Sequence, residues 1–557
     1  METGDAEQHQ AYRLSLLQAK EQLTGVLPQA QEWQQRVRTQ FLDENAATAF
    51  GVEHGFARIR SVDDYRAAVP LRTYADFAPW VQRVAAGEPA VLTAQDPKLF
   101  FHTSGSTGPS KTIPVTERFL STTYLPFFRA AMGVPAEYFP ETVLRGSSTL
   151  NLRHDRLTAP ATTASGRPSL GPCQADLRRS FGVTVREPGW DAPWAELPVP
   201  VGDQDHMDKL YLRVRMAVEH DVRTVIGHNP TMIAVLPELL AQWWPLILKE
   251  VHDGTYMGRP GGTPNPVRAR ELETMADYFG RPTPAMIWPR MQLLYCWTSG
   301  VASLYLPRLK ELYGSGVTIL PTPVVASEGP VGVPIDRHPT AGPLSVSTCL
   351  YEFVEAEQDL RADSPTLLFD ELTDGRDYHV VFSHVGGLYR YVLGDLVHVV
   401  DHVHGVPRVE YAGRSNLMNG AGERVREYHL VRALQGAATR TGLDIVNVIS
   451  RLSPEPGSLH YDFAVAFPTE PEDGDLLSFQ GALDQELRAI APGYSSARSK
   501  GDIEATHVQS IPPSRFVEYW HHRVDAGRRP VEVKDQLIQP DPAVFEGIAG
   551  VWNACAA

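Results

Sequence analysis

The stretch from Phe100 to Lys111, FFHTSGSTGPSK, carries more information than any other part of this chain. An apolar run leads into a loop of small and hydroxyl-bearing residues that ends on a lysine. Gly105 and Gly108 let the backbone approach a ligand without a Cβ in the way. Backbone N–H groups, hydroxyls and an ammonium group suit a polyphosphate. It is not a Walker A loop, since Ser110 rather than a glycine stands directly before Lys111. From the residues alone, a phosphate-binding loop and a serine- and glycine-rich surface loop both remain open.

The bulk composition narrows the class of protein. A chain of 557 residues is expected to form more than one domain. The net charge of −15 argues against a nucleic-acid partner. Four distant cysteines without a Cys-x-x-Cys pair fit a reducing cytosol, so we expect a cytoplasmic protein. The acidic N-terminus is unlike a secretory signal. The apolar segment Met232–Leu248 contains two prolines, a glutamate and a glutamine, so we expect a buried core segment and no membrane partner.

Helix and strand patterns alternate along residues 1–413, which predicts an α/β fold of layered sheets and helices. Two helices are expected within residues 7–43 because Pro28 interrupts the pattern. The pattern changes near Gly413. Beyond it, helices and strands alternate in a unit of about 140 residues, which predicts a small α+β domain. The predicted domains are therefore residues 1–413 and 414–557.

Four later segments contain candidate binding or catalytic residues. Glu328 follows Ser327 in VVASEG, and one carboxylate can hold Mg²⁺ against a triphosphate; a helix cap or a surface charge is the alternative. Asp395 ends the aromatic run LYRYVLGD, where a carboxylate can accept both ribose hydroxyls or pair with Arg390 in a turn. The third segment contains Arg414, at the change of pattern, and its alternative is an ordinary interdomain turn. The fourth contains Lys534, in RRPVEVKD, and its alternative is an ordinary exposed lysine.

In this order, the segments resemble the adenylate-forming enzyme superfamily. They are most similar to its Gretchen Hagen family, the auxin-conjugating acyl-acid amido synthetases. Further matching runs are NAATAFGVEHGF (45–56), YRAAVPL (65–71), KTIP (111–114) and LILKEVHDG (246–254). The resemblance implies a large N-terminal adenylation domain and a small mobile α+β C-terminal domain, with ATP bound between them.

The resemblance also implies a role for individual residues. The nucleotide would be bound by Thr103, Ser104, Ser106, Thr107, Ser327, Asp395 and Arg414. Glu328 would bind Mg²⁺, and the catalytic residues would be Lys111 and Lys534. The acid substrate would contact His228, Trp297 and Thr298. Two positions depart from the family pattern. Val324 stands where the superfamily usually stacks a tyrosine on adenine, and Asp535-Gln536 replaces the Pro-Arg expected after Lys534.

The expected function is that of an ATP-dependent ligase. It would adenylate a small carboxylic acid and transfer the acyl group to an amine, either an amino acid or ammonia, releasing AMP and pyrophosphate. Two alternatives stay open: an acyl-thioester synthetase with coenzyme A or a carrier-protein thiol as acceptor, and a nucleotide- or acyl-binding protein that has lost catalysis. The sequence does not indicate the acid, the amine, the general base or the oligomeric state.

Overall fold

The computed structural model describes residues 2–103, 111–153, 160–172, 177–453 and 458–550. Most of the predicted phosphate loop, including Ser104, Ser106 and Thr107, lies outside the described residues, whereas both of its flanks lie within them. The predictions for these three residues therefore stay predictions.

The chain begins with helices that cover one side of the N-terminal region. The first two are separated by a 3₁₀ turn at Leu27–Gln29, because Pro28 cannot continue an α-helix; this confirms the two predicted helices. The helices are α1 (Glu2–Gly25), α2 (Ala30–Asn45), α3 (Ala49–Glu53), α4 (Val62–Ala68) and α5 (Tyr74–Ala85).

A β-hairpin flanks the predicted phosphate loop. Its strands are β1 (Leu99–Thr103) and β2 (Lys111–Val115), which run antiparallel with Thr103 opposite Lys111. The first three side chains of β1 are fully buried, as expected for an apolar strand. Helices follow: α6 (Glu117–Phe119), a π-helical turn (Leu120–Tyr124), α7 (Leu125–Ala131), α8 (Gly133–Tyr138) and α9 (Glu141–Leu144).

The next part of the chain contains a parallel four-stranded sheet between helices. Its spatial order is β10-β9-β6-β3, and every neighbouring pair is parallel. The elements are β3 (Thr149–Asn151), β4 (Ala161–Thr162), β5 (Pro168–Leu170), α10 (Leu177–Phe181), α11 (His206–Ala217), β6 (Thr224–Ile226), α12 (Pro230–Asp253), β7 (Thr255–Tyr256), β8 (Arg259–Pro260), α13 (Pro266–Phe279), α14 (Pro284–Ile287), β9 (Leu293–Cys296), α15 (Leu306–Tyr313) and β10 (Thr318–Pro321). This arrangement confirms the predicted α/β class.

Helix α12 is the apolar segment that the sequence singled out. Among the described residues, it is the one helix that is long and apolar enough to cross a membrane, and 56% of its most apolar window is buried. Asn229 caps it by accepting a hydrogen bond from the Thr231 N–H, and its apolar side chains belong to the core around the parallel sheet. The segment is therefore a core helix, as predicted.

An antiparallel sheet follows, with spatial order β13-β17-β16-β15-β14. Its strands are β13 (Gly342–Pro343), β14 (Leu350–Glu355), β15 (Asp377–Ser383), β16 (Tyr391–Val403) and β17 (Val406–Arg414). A separate two-stranded sheet, β11 (Val324–Val325) with β12 (Pro330–Gly332), precedes it in the chain. Strand β17 ends where the sequence predicts the boundary between residues 413 and 414; that boundary stays a prediction.

The remaining chain forms a second core around the three-stranded sheet β20-β21-β22, which Val301, Leu304 and Tyr305 of the preceding part of the chain join. Its elements are β18 (Leu417–Met418), β19 (Val425–Arg426), α16 (Glu427–Thr441), β20 (Asn447–Leu452), β21 (Tyr461–Ala466), α17 (Asp473–Ile490), α18 (Pro492–Lys500), β22 (His507–Ile511), α19 (Ser514–Asp525) and α20 (Pro542–Ala549). We call this unit the C-terminal lobe and the preceding part of the chain the N-terminal lobe.

Candidate active site

Three polar side chains meet beside the predicted phosphate loop. Lys111 Nζ lies 2.8 Å from Glu328 Oε1 and 2.9 Å from the Tyr391 hydroxyl, which in turn lies 2.9 Å from Glu328 Oε1. Burial and the Glu328 carboxylate raise the pKa of Tyr391, so this hydroxyl keeps its proton and donates it to the carboxylate. Each side chain of this triangle fixes the other two.

Glu328 is presented by a two-residue turn. Ala326 and Gly329 exchange backbone hydrogen bonds of 3.1 and 3.2 Å, which leaves Ser327 and Glu328 at the tip between β11 and β12. A Cβ on Gly329 would come within 3.1 Å of the Phe382 ring, so glycine permits this close packing. The backbone thus aims the Glu328 carboxylate at Lys111.

A buried histidine, His384, donates a hydrogen bond to the backbone of the same turn. His384 Nδ1 accepts the Gly386 N–H at 3.0 Å, so the ring proton resides on Nε2, which donates to the Glu328 carbonyl at 2.9 Å. Burial lowers the pKa of His384 to about 4. His384 is therefore a neutral positioning residue for Glu328.

Asp395 and Arg414 face each other across strands β16 and β17. Arg414 Nε lies 3.9 Å from Asp395 Oδ1. Burial raises the pKa of Asp395, and Arg414 opposes that rise. Arg390, the alternative partner of Asp395, instead forms a buried pair with Glu352 at 3.0 Å. The turn pairing that the sequence left open is therefore not the one that forms.

Lys534, in the segment that follows α19, lines a crevice together with Asp395 and Arg414. Its ammonium group lies 4.8 Å from the centroid of the Trp297 ring, a cation–π distance. The surrounding crevice desolvates the ammonium group and lowers the pKa of Lys534, and Arg414 lowers it further. One cavity between the lobes is lined by Lys534, Asp395, Arg414, Trp297, Thr298 and Val324, among others. The Lys534 side chain stays solvent-exposed while it lines this cavity beside Trp297.

The residues expected to bind the acid divide between two cavities. Trp297 and Thr298 line the cavity with Lys534, and the Thr298 hydroxyl donates to the Pro339 carbonyl at 2.7 Å. His228 lines a neighbouring cavity of about 560 Å³, and Pro323 borders both. Burial and the nearby Arg153 keep the pKa of His228 well below its ordinary value. His228 nevertheless lies beside Trp297, whose backbone N–H donates to the His228 carbonyl at 2.8 Å, so the two cavities are neighbours.

The acidic side chains of the site show whether it could hold a magnesium ion. Among the residues that the structure describes, no group of three or more His, Cys, Asp or Glu side chains is placed to hold a metal ion. Mg²⁺ at nucleotide sites is commonly held by one or two carboxylates together with phosphate oxygens and water. The single carboxylate of Glu328 fits that pattern.

Comparison with known proteins shows the family. Models of the GH3 family match residues 19–319 (N-terminal domain), 342–414 (central domain) and 428–543 (C-terminal domain). The chain belongs to the GH3 family. This confirms the resemblance found in the sequence.

Curated relatives of this GH3 chain are amido synthetases. The chain is 25% identical over 560 residues to "Probable indole-3-acetic acid-amido synthetase GH3.12" of Oryza sativa subsp. japonica, covering 89% of each chain. It is 23% identical over 542 residues to "Jasmonoyl--L-amino acid synthetase JAR6" of Nicotiana attenuata, covering 91% of this chain and 90% of the relative. The predicted class of activity, an AMP-forming ligase that joins an acid to an amine, is confirmed by these relatives.

The GH3 fold is confirmed by a solved structure. "AtGH3.15 acyl acid amido synthetase in complex with 2,4-DB" superposes with a TM-score of 0.78 at 17% identity, covering 97% of this chain and 96% of that one. The predicted division into a large N-terminal and a smaller C-terminal domain is shared.

Sequence reasoning missed several residues of this GH3 site. Tyr391 stood inside the quoted run LYRYVLGD without a role, and His384 lies seven residues before it. Glu427 and Asp535 line the same cavity as Lys534. The spacing of these residues along the chain carried no signal, because they come together only in the folded chain.

Proposed function

We propose that this chain uses ATP to adenylate a small carboxylic acid in the crevice between its lobes and then transfers the acyl group to an amine. The observation that supports this most strongly is the convergence of charges from three chain regions. Lys111 and Glu328 meet beside the phosphate-loop hairpin, Asp395 and Arg414 face each other at the end of the five-stranded sheet, and Lys534 enters from beyond α19.

Activation is needed because a carboxylate reacts poorly with an amine: the leaving group would be oxide. In the first half-reaction, a carboxylate oxygen of the acid attacks the α-phosphorus of ATP. The bond between that phosphorus and the bridging oxygen breaks, and pyrophosphate leaves. The product is an acyl-adenylate, whose AMP group is a good leaving group.

Negative charge on the phosphoryl oxygens grows during this step, and positioned cations stabilise it. The Lys111 ammonium group is held in place by its hydrogen bonds to Tyr391 and Glu328. Lys534 adds a second positive charge from the cavity that it lines with Asp395 and Arg414. Glu328 would hold Mg²⁺, which when bound supplies charge neutralisation and orients the phosphates. Within the described residues, Thr103 and Ser327 flank the same region, and Asp395 and Arg414 are the groups we assign to the ribose and its phosphate.

The adenine has no aromatic partner at position 324. Val324 lines the crevice with its half-buried side chain. We propose that adenine is held there by apolar contact, which offers less ring-specific attraction than stacking on a tyrosine.

In the second half-reaction, the amine nitrogen attacks the acyl carbon, the bond from that carbon to the AMP oxygen breaks, and the nitrogen loses a proton. His228 is neutral, so its ring can accept a proton or orient a polar group of the substrate. We assign it to the acid or amine in the larger cavity, whose volume of about 560 Å³ suits a small molecule. Trp297 and Thr298 would border the acyl group near the nucleotide.

Product analysis tests this function against its alternatives. The purified protein is incubated with ATP, Mg²⁺ and a panel of carboxylic acids, and pyrophosphate is measured; amino acids, ammonia or coenzyme A are then added separately. We expect acid-dependent pyrophosphate release and an amide product. A thioester with coenzyme A and no amide would indicate the thioester synthetase. Nucleotide binding without pyrophosphate release from any acid would indicate a nucleotide- or acyl-binding protein that has lost catalysis. We further propose a cytoplasmic location and a mobile C-terminal domain.

A further inference from the structure

Residues 533–539, which we call the strap, connect the two lobes. At its start, the buried Val533 packs with the core around the parallel sheet of the N-terminal lobe. Near its end, Leu537 is fully buried in the core of the C-terminal lobe. Lys534 follows the first of these contacts directly. The position of Lys534 therefore depends on how the strap is held at each end.

Backbone hydrogen bonds attach the far end of the strap to the C-terminal lobe. The Leu537 carbonyl accepts from the Ser450 N–H at 2.6 Å and from the Ser450 hydroxyl at 2.9 Å. The Gln539 N–H donates to the Ser450 carbonyl at 2.8 Å. These bonds extend the edge of strand β20, so this half of the strap moves with the C-terminal lobe.

The near end is attached to the N-terminal lobe by side chains at the start of α12 and at Tyr305. Asn229 Nδ2 donates to the Val533 carbonyl at 2.5 Å. The Thr231 hydroxyl donates to Asp535 Oδ2 at 2.6 Å, and the Tyr305 hydroxyl donates to the same oxygen at 3.0 Å. Both hydroxyl-bearing residues are buried.

Asp535 is a strap side chain that contacts both lobes. Besides the two hydroxyls, the Asn447 amide at the start of β20 hydrogen bonds to this carboxylate. No lysine or arginine is among these partners. Asp535 is half-buried, and losing one of its hydrogen-bond donors would weaken the contact between the strap and the lobe that supplies that donor. Asp535 therefore joins the N-terminal lobe to the C-terminal lobe beside Lys534.

We propose that Asp535 is a latch, a positioning residue whose contacts with Thr231 and Tyr305 hold Lys534 in the crevice for adenylation. The proposal rests on the function proposed above. The same contacts must break before the C-terminal lobe can rotate, because the strap cannot follow that lobe while Asp535 stays bound to Thr231. Asp535 stands where the family resemblance leads one to expect proline, so this latch is a feature of this chain's own sequence.

Asp535→Asn, Asp535→Ala and Thr231→Val test the latch, with the exposed Asp444→Asn as the matched control. Two activities are measured in each variant: acid-dependent pyrophosphate release, and amide formation from chemically supplied acyl-adenylate. Because misplacing a reacting group by about 1 Å can cost ~10²-fold in rate, we expect pyrophosphate release to fall by ~10- to 100-fold in the three latch variants. Use of supplied acyl-adenylate should stay within about twofold of the unmodified protein.

Hydrogen–deuterium exchange provides a readout that does not depend on activity. Peptides covering residues 530–540 should exchange faster in Asp535→Asn than in the unmodified protein, whereas peptides from α17 should not change. Unchanged exchange in the strap, or equal loss of both activities, would overturn the latch. If the unmodified protein releases no pyrophosphate with any acid, the proposed function fails, and the exchange experiment still decides whether Asp535 holds the strap.

Discussion

Lys111 and Glu328 are 217 residues apart in the chain, and their side chains form an ion pair of 2.8 Å. The Glu328 side chain is 6% exposed and the Lys111 side chain 29% exposed, so the pair is open on the lysine side only. The pair joins the hairpin β1–β2 to the turn between β11 and β12, and it sets the positions of a cation and a carboxylate before any nucleotide binds.

Removing either member of this pair should impair adenylation. We expect Lys111→Ala and Glu328→Gln each to lower the rate of acid-dependent pyrophosphate release by ~10²–10³-fold, as for loss of one preorganised electrostatic group. The control is Lys98→Ala, because Lys98 forms an exposed pair with Glu117 at 2.8 Å. The control should keep its rate. Near-normal rates in Lys111→Ala or Glu328→Gln would remove that residue from the site.

Lys534 should matter for one half-reaction only. In Lys534→Ala, we expect pyrophosphate release to fall by ~10²-fold or more, because a positioned positive charge is lost from the crevice. Conversion of supplied acyl-adenylate to amide should be retained. Separate rapid-quench assays of the two steps measure this difference. Equal impairment of both steps would show a structural role instead.

The neutral His384 should contribute to stability and to the position of Glu328. His384→Ala leaves the Glu328 carbonyl and the Gly386 N–H without their partner in a buried site, which should lower the free energy of unfolding by ~1–3 kcal/mol. Chemical denaturation measures this loss. The KM for ATP should rise as well, because the turn that carries Glu328 loosens. An unchanged KM together with lower stability would limit His384 to a structural role.

The crevice should give the protein a pH-dependent stability through Glu427. Burial raises the pKa of this carboxyl from 4.5 to about 7; Arg414 opposes the rise and Asp395 adds to it. The tyrosines Tyr305 and Tyr411 also face it. Between these two pH values the folded state retains a proton that the unfolded state has lost. Stability from this group therefore falls as pH rises through about 7, by up to ~3 kcal/mol.

Replacement of Glu427 by glutamine removes this dependence. The stability of Glu427→Gln relative to the unmodified protein should be greater at ~pH 8.5 than at ~pH 5, measured by denaturant unfolding at both pH values. If the stability difference between Glu427→Gln and the unmodified protein is the same at both pH values, the raised pKa of Glu427 is contradicted.

Much of the fold followed from local patterns. The two N-terminal helices follow from the effect of Pro28, α12 from its apolar residues behind the Asn229 cap, and the buried strand β1 from three consecutive apolar residues. These features depend on neighbouring residues in the chain. The short strands β4 and β5 have no comparable local pattern: β5 pairs with β1, and β4 pairs with β5.

The site was harder to predict from sequence, because its contacts are long-range. Glu328 and Asp395 could be named through the family resemblance. Tyr391, His384 and Asp535 could not, because a tyrosine, a histidine or an aspartate acquires its role here from partners far away in the chain. Lys534 seemed an ordinary lysine by composition, and its contact with Trp297 arises only when the strap lies between the lobes.

Acid-dependent exchange of radiolabelled pyrophosphate into ATP is the measurement that tests the central claim most directly, because only formation of an acyl-adenylate makes that exchange possible. We predict exchange with at least one carboxylic acid, no exchange without acid, and loss by ~10²–10³-fold in Lys111→Ala. Absence of exchange with every acid, in folded protein that binds ATP, would contradict the account.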